Sequence, residues 1–311
     1  MSRTAFVFPG QGAQYVGMGK DFYEAFPVCR EVFETASEAT GLDIAKLCFE
    51  ENEQLNQTEY TQICMLTVEA AILKAVEGQG VRSEVNAGLS LGEYGALIAS
   101  GVMDAADAFK VVRQRGILMQ NAVPTGGAMA AVMAMDAKKI EEICAQTEGI
   151  VSIANYNCPG QIVITGEEGA VDAACEALKA AGAKRTVKLN VSGPFHSQML
   201  AEAGEKLGEV LKDVKLNDFS VPYVTNVTAD YVRSAGEVKD LLCRQVASSV
   251  RWQQSVERMI ADGTDTFIEI GPGRTLSGFM RKIDRGVTMM NIDKMEDFEK
   301  VMETLKGEGA C

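Results

Sequence analysis

A single histidine, His196, occurs in the 311 residues, and none of the eight cysteines stands in a Cys-x-x-Cys pair. One imidazole and scattered thiols cannot assemble an ordinary zinc site, so no metal is expected. The cysteines, at 29, 48, 64, 144, 158, 175, 243 and 311, read instead as reduced, mostly buried thiols of a cytoplasmic protein. No apolar run approaches the roughly 18 residues that a membrane helix needs. The opening Met-Ser-Arg-Thr has neither the basic start nor the apolar core of a signal peptide. Positive charge is also short: 30 Lys and Arg face 43 Asp and Glu, a net charge of −13. That balance argues against nonspecific nucleic-acid binding, which phosphate neutralisation dominates. It fits a solubility role, and a local basic group can still hold a small anion. Aromatics make up only 6%, and the 15 methionines, Met129, Met133 and Met135 among them, read as flexible core packing. There is no internal repeat, low-complexity tract or long linker.

Short apolar runs alternate with helical patterns almost throughout, so the class is α/β. Thr4–Phe8 and Glu84–Ala87 read as strands that end at glycine-containing turns. Tyr60–Glu77, Leu91–Ser100 and Ala105–Ala122 read as helices. From Ala128 to Leu189 the order is strand, helix, strand, strand, helix, strand, the split βαβ arrangement of a ferredoxin-like unit. The expected architecture is therefore a large α/β domain of residues 1–126 and 192–311, carrying an inserted ferredoxin-like small domain of residues 127–191. After the insert, Ser197–Leu211, Glu237–Ser248, Trp252–Asp262 and Thr275–Ile283 read as helices. Val221–Asn226, Asp265–Ile270 and Thr288–Asn291 read as strands.

Gly88-Leu89-Ser90-Leu91-Gly92 fits Gly-x-Ser-x-Gly, with a strand before it and a helix after it. Small flanking residues let the chain turn sharply and hold a serine at a helix N-terminus, where the dipole favours developing negative charge. A serine nucleophile needs a base. His196 is the only histidine, and it lies in a loop before an expected helix, whose dipole would keep the imidazole neutral. An oxyanion hole needs two backbone N–H groups. Leu91, after the serine, supplies one, and the Pro9-Gly10-Gln11-Gly12 loop after the first strand is suited to supply the other. That loop fails the dinucleotide spacing, because Tyr15 stands where a third glycine belongs, and no P-loop pattern occurs. Arg113 and Arg115 both flank the apolar face of their helix, and helical spacing does not choose between them.

Phe8-Pro9-Gly10-Gln11-Gly12, Gly88-Leu89-Ser90-Leu91-Gly92-Glu93-Tyr94, Arg113-Gln114-Arg115-Gly116, Asn155-Tyr156-Asn157-Cys158-Pro159-Gly160-Gln161, Gly193-Pro194-Phe195-His196-Ser197 and Glu269-Ile270-Gly271-Pro272-Gly273 follow one another in this order. Together they resemble the malonyl-CoA:acyl carrier protein transacylase family, to about residue 290. The resemblance implies a hydrolase-like large domain with the ferredoxin-like insert. It implies Ser90 as nucleophile, His196 as base, the Gln11 and Leu91 amides as oxyanion hole, and Arg115 as holder of the substrate carboxylate. The substrate would be malonyl-CoA and the partner an acyl carrier protein bearing phosphopantetheine, with no metal or other cofactor, no nucleic acid and no membrane, in a monomer.

Two positions depart from the family pattern. Leu89 replaces a histidine before the nucleophile. Arg251 replaces a glutamine before Trp252, and its backbone carbonyl is expected to orient His196, so no triad acid is required. Phe195 resembles the malonyl-using members. Because carrier proteins of this pathway are acidic, two basic clusters are docking candidates: Lys184, Arg185 and Lys188, and Arg274, Arg281, Lys282 and Arg285. The competing readings are a serine esterase or thioesterase of the same fold, a trans-acting polyketide acyltransferase, and a non-catalytic module that binds carrier protein.

Overall fold

The computed structural model describes residues 3–307. Residues 1–2 and 308–311 lie outside the described residues, and with them the expectations for the first two positions and for Cys311. The strands are β1 (Thr4–Phe8), β2 (Val85–Gly88), β3 (Gly127–Met133), β4 (Val151–Cys158), β5 (Gln161–Glu167), β6 (Arg185–Lys188), β7 (Tyr223–Val224), β8 (Thr266–Ile270) and β9 (Thr288–Ile292).

Five of them form a wholly parallel sheet in the order β7-β2-β1-β8-β9. Helices cover both faces, so its central strands are apolar at nearly every position. The alternation of side chains sorts them. Phe6, Phe8, Ile268 and Ile270 face one core, built around the long helix Thr58–Gly78. Ala5, Val7, Val85, Ala87 and Phe267 face another, with Trp252, Val256 and Leu276. The Thr58–Gly78 helix is buried over most of its circumference, as expected of a helix that is apolar all round.

β3 to β6 form a separate antiparallel sheet in the order β4-β5-β3-β6. The helices Ala137–Gln146 and Glu168–Ala180 pack on one face, over Ala130, Val132, Ile153, Ile162 and Ile164. The other face carries Met129, Ala131 and Val163, which turn towards the large domain and line the cleft between the two. The β4 edge is pinned to the large domain by backbone bonds: Val250 N–H donates to the Ala154 carbonyl at 2.7 Å, and Tyr156 N–H donates to the Val250 carbonyl at 2.9 Å.

Some elements differ from the sequence reading. The helices Lys20–Ala25, Pro27–Thr40, Ile44–Phe49 and Met295–Gly307 were not anticipated. β7 is only two residues long, at a sheet edge and directly after Pro222, which has no N–H to extend the ladder. The segment after His196 begins as a short 3-10 turn, Gln198–Leu200, and becomes an α-helix only at Ala201. All seven described cysteines are free thiols; six are buried, and Cys243 is partly exposed. No helix of the described residues is long and apolar enough to cross a membrane.

Candidate active site

Ser90 sits between β2 and the helix Gly92–Ala99, with φ of 54°, in the left-handed region that costs an L-residue energy. The two glycines make this turn possible. A Cβ on Gly88 would lie 1.9 Å from the Gly92 carbonyl carbon, and one on Gly92 would lie 2.2 Å from the Phe8 carbonyl oxygen. The turn is fixed from outside by Asn226, whose Oδ1 accepts the Ser90 N–H at 2.7 Å and whose Nδ2 donates to the Gly88 carbonyl at 2.6 Å.

His196, also at positive φ, brings its Nε2 to 2.7 Å from Ser90 Oγ. Its Nδ1 lies 2.9 Å from the Gln245 carbonyl oxygen. A carbonyl can only accept, so Nδ1 carries the proton, and Nε2 presents a lone pair to the Ser90 hydroxyl. Burial and the nearby Arg115 cation push the imidazole down to about 4, against the opposing effect of the Gln245 and Ser248 backbone. The ring is therefore neutral at physiological pH. Its neutrality comes from burial and Arg115 and not, as the sequence suggested, from a following helix, which starts five residues on.

The carbonyl that orients His196 corrects the expectation for Arg251. Arg251 caps the helix Trp252–Ala261, and its carbonyl accepts the Ser255 N–H and Oγ–H, both at 2.9 Å. It is thus committed to the helix start, and the Arg251 guanidinium lies over the Tyr156 ring. The orienting residue is Gln245, in the helix Ala235–Ala247. Sequence reasoning missed it, yet a signal was present. Val238, Leu241, Leu242 and Val246 form the apolar stripe of that helix, and Gln245 lies within the stripe, fully buried.

Arg115 is 1% exposed. It donates to Gln62 Oε1 at 2.7 Å, to Gln245 Oε1 at 3.0 Å and to Ser90 Oγ at 3.2 Å, while its Nε has no partner. No carboxylate of the described residues forms an ion pair with it. Arg113, two positions away, pairs with Glu59 at 2.8 Å on the rim and reaches over the Tyr60 ring. The structure thus separates the two arginines that helical spacing could not. An unpaired buried guanidinium beside Ser90 can take up an anionic group, because desolvated charges need a partner.

Gln11 and Leu91 flank Ser90 on the two loops at the C-terminal ends of β1 and β2. The Gln11 side chain is anchored to Thr58 Oγ1 at 3.0 Å, and neither backbone amide donates to another group of the described residues. A cleft of about 1010 Å³ opens above Ser90 and His196, lined by Gln11, Met129, Asn155, Asn157, Gln161 and Phe279, among others. Leu89, where the family commonly has histidine, lines it too. Among the described residues, no group of His, Cys, Asp and Glu could hold a metal ion.

The basic clusters lie at the cleft's edges. β6 leads directly into Leu189, Asn190, Val191 and Ser192, which line the cleft. Within that cluster Lys188 is already engaged, at 3.1 Å from Glu168 and 2.9 Å from Asp172, so its charge is matched locally. In the second cluster Arg274 pairs with Asp297 at 2.7 Å, and Lys282 reaches Gln161 at 3.4 Å.

Residues 5–294 match the acyl transferase domain. A protein of Bacillus subtilis named malonyl CoA-acyl carrier protein transacylase is 43% identical over 99% of both chains. A protein of the same name from Staphylococcus aureus is 40% identical over 96% of this chain and 97% of its own. The crystal structure of the transacylase from Clostridium perfringens superposes with a TM-score of 0.95 at 44% identity, covering 99% of this chain and 98% of the other. A transacylase solved in complex with a type II polyketide acyl carrier protein superposes at 0.94 with 39% identity, over 97% of this chain and all of the other.

Proposed function

The chain belongs to the acyl transferase domain family, and from that membership we propose that it carries malonyl groups from malonyl-CoA to the phosphopantetheine thiol of an acyl carrier protein, by way of a malonyl-serine at Ser90, in supply of fatty acid synthesis. Ser90 Oγ attacks the thioester carbonyl while His196 Nε2 takes its proton. The Gln11 and Leu91 amides receive the developing oxyanion, a contribution of about 10²–10³ in rate per donor in comparable sites. The carbon–sulfur bond breaks, and CoA leaves as the thiol with the proton from His196. The carrier thiol then attacks the malonyl-serine, losing its proton to His196, which returns it to Ser90 as the ester bond breaks.

Arg115 carries the reading. A fully desolvated cation 3.2 Å from the nucleophile, with no protein anion in contact, matches a substrate with a carboxylate next to the reacting carbonyl. It also tunes the base. The Arg115 charge depresses His196 in the free enzyme, and a malonyl carboxylate docked on the guanidinium offsets that field. The imidazole becomes more basic when the correct substrate is bound. The chemistry is balanced without a metal or redox group.

The experiment is a label and chase. Radiolabelled malonyl-CoA should leave label on the protein that is stable to water and discharged by holo carrier protein. Release by water alone would make the protein a thioesterase, and absence of protein label would make it a binding module. We further propose a cytoplasmic monomer. Its free thiols fit a reducing compartment, and sedimentation at the mass of one chain checks the oligomeric state.

A further inference from the structure

Glu93 is the second residue of the helix that follows Ser90, and it is fully buried. One of its oxygens, Oε2, accepts from the Asn226 backbone N–H at 3.1 Å and from Gln245 Nε2 at 2.7 Å. Each of these partners holds a different part of the site. Asn226 Oδ1 receives the Ser90 N–H. Gln245 receives His196 Nδ1–H on its backbone carbonyl and the Arg115 guanidinium on its side-chain oxygen. The Gln245 amide nitrogen also donates to the Ser90 carbonyl at 3.0 Å. One carboxylate oxygen therefore ties together Asn226 and Gln245, which between them hold the Ser90 backbone, His196 Nδ1 and one nitrogen of Arg115.

The charges point the same way. Arg115 has no carboxylate in contact, and Glu93 is the acid whose field reaches it, across the Gln245 amide. The titratable groups around the pair are Tyr94, from the same helix, Tyr223, from β7, and His196; burial raises both phenols and, with Arg115, lowers the imidazole, so all three stay neutral. Burial also raises the Glu93 carboxyl above its ordinary value, while hydrogen bonds from Asn226 and Gln245, the Thr225 hydroxyl and the Arg115 charge hold it down. With two N–H donors on Oε2, Glu93 is the acid that faces Arg115 when no substrate is bound.

We propose that Glu93 is a positioning residue that serves as the remote counter-ion of Arg115, holding Asn226 and Gln245 in register and setting how strongly the site favours a carboxylate-bearing acyl group. The proposal rests on the reading of Arg115 as the substrate's carboxylate partner.

Removing the charge and keeping the shape isolates the effect. In Glu93→Gln an amide oxygen can still accept from Asn226 and Gln245, while Arg115 loses its counter-charge. Two consequences add. The unshielded guanidinium binds malonyl-CoA more tightly. It also depresses His196 further, and only a malonyl carboxylate can offset that. The expected result is a lower KM for malonyl-CoA, a lower kcat with acetyl-CoA, and a rise of about three- to tenfold in the malonyl-to-acetyl ratio of kcat/KM. Glu93→Asp keeps the charge but withdraws it by one methylene. It should slow both thioesters together and leave the ratio at the wild-type value.

The wild type is assayed first with both thioesters. No malonyl preference there overturns the functional reading and this inference with it. With a wild-type preference established, a Glu93→Gln enzyme that melts cooperatively and shows an unchanged or lowered ratio overturns the counter-ion role alone. Should Glu93→Gln fail to fold, Glu93→Asp still decides, because a threefold or larger change of its ratio contradicts the proposal.

Discussion

Replacing Arg115 by alanine removes a cation that is 1% exposed and bonded to Gln62, Gln245 and Ser90. Two losses follow, and they separate by substrate. The first is common to every acyl group. Gln62 Oε1 and Gln245 Oε1 lose a donor inside the protein, at about 1–3 kcal/mol for each buried acceptor left unmade, and Gln245 also holds His196. The second applies to malonyl alone. A charge-assisted, desolvated pair that loses one partner costs about 2–5 kcal/mol, which at 1.4 kcal/mol per decade is about 30- to 4,000-fold. The quantity to measure is therefore the malonyl-to-acetyl ratio of kcat/KM in wild type and variant, since the shared loss cancels within it. Arg115→Ala should bring that ratio down by at least about 30-fold, with acetyl transfer falling less or rising. A ratio unchanged within threefold, with both activities equally reduced, would refute carboxylate recognition and leave Arg115 a structural cation.

Ser90→Ala should abolish labelling by malonyl-CoA and lower turnover by at least about 10³-fold, because the nucleophile has no substitute; a stable acyl-enzyme at another residue would reject the assignment. His196 must be neutral to act, and it is depressed to about 4, so kcat/KM should be flat from pH 8 to pH 6 and fall only below pH 5. An acid limb centred near the ordinary histidine value of about 6.5 would show the imidazole to be solvated in the working enzyme. Reversing Lys184 and Arg185 to glutamate should raise the KM for carrier protein several-fold at low salt and by less at high salt, with the KM for malonyl-CoA unchanged. If only the reversal of Arg281 and Lys282 has this effect, docking uses the other rim of the cleft.

Elements whose local pattern and tertiary surroundings agree were legible in advance. The inserted domain is the clearest case. β3 and β5 alternate between residues that face their own helices, such as Ala130 and Ile164, and residues that face the cleft, such as Met129 and Val163, and both sets are apolar or small enough to read as strand. The helices between Lys20 and Phe49 were illegible for the opposite reason. Two of them have six residues each, too few for a helical period to stand out. Their stability comes from packing against Thr58–Gly78 and from Phe22 and Phe26 meeting the ring of Phe298 edge-on, contacts distant in sequence.

The site divides along the same line. Ser90 and His196 were visible because their chemistry is scarce: one histidine, and one serine between glycines that the backbone cannot do without. Gln245, Asn226 and Gln62 are chemically commonplace, and what marks them is burial. A helix stripe of Val238, Leu241, Leu242 and Val246 that admits a glutamine has a reason to do so, since an unsatisfied buried amide would cost more than the leucine that could replace it. The reason here is that Gln245 uses its carbonyl, its side-chain oxygen and its side-chain nitrogen at once, on His196, Arg115 and Glu93. Arg251 misled because nearness to Trp252 in sequence was taken for the orienting position, whereas a carbonyl at a helix start is already promised to the fourth residue on, here Ser255. Within a helix, a carbonyl is free to accept from a side chain near the C-terminal end, where the last four carbonyls have no intrahelical donor. Gln245 lies two residues before the end of Ala235–Ala247, and so meets that condition where Arg251 cannot.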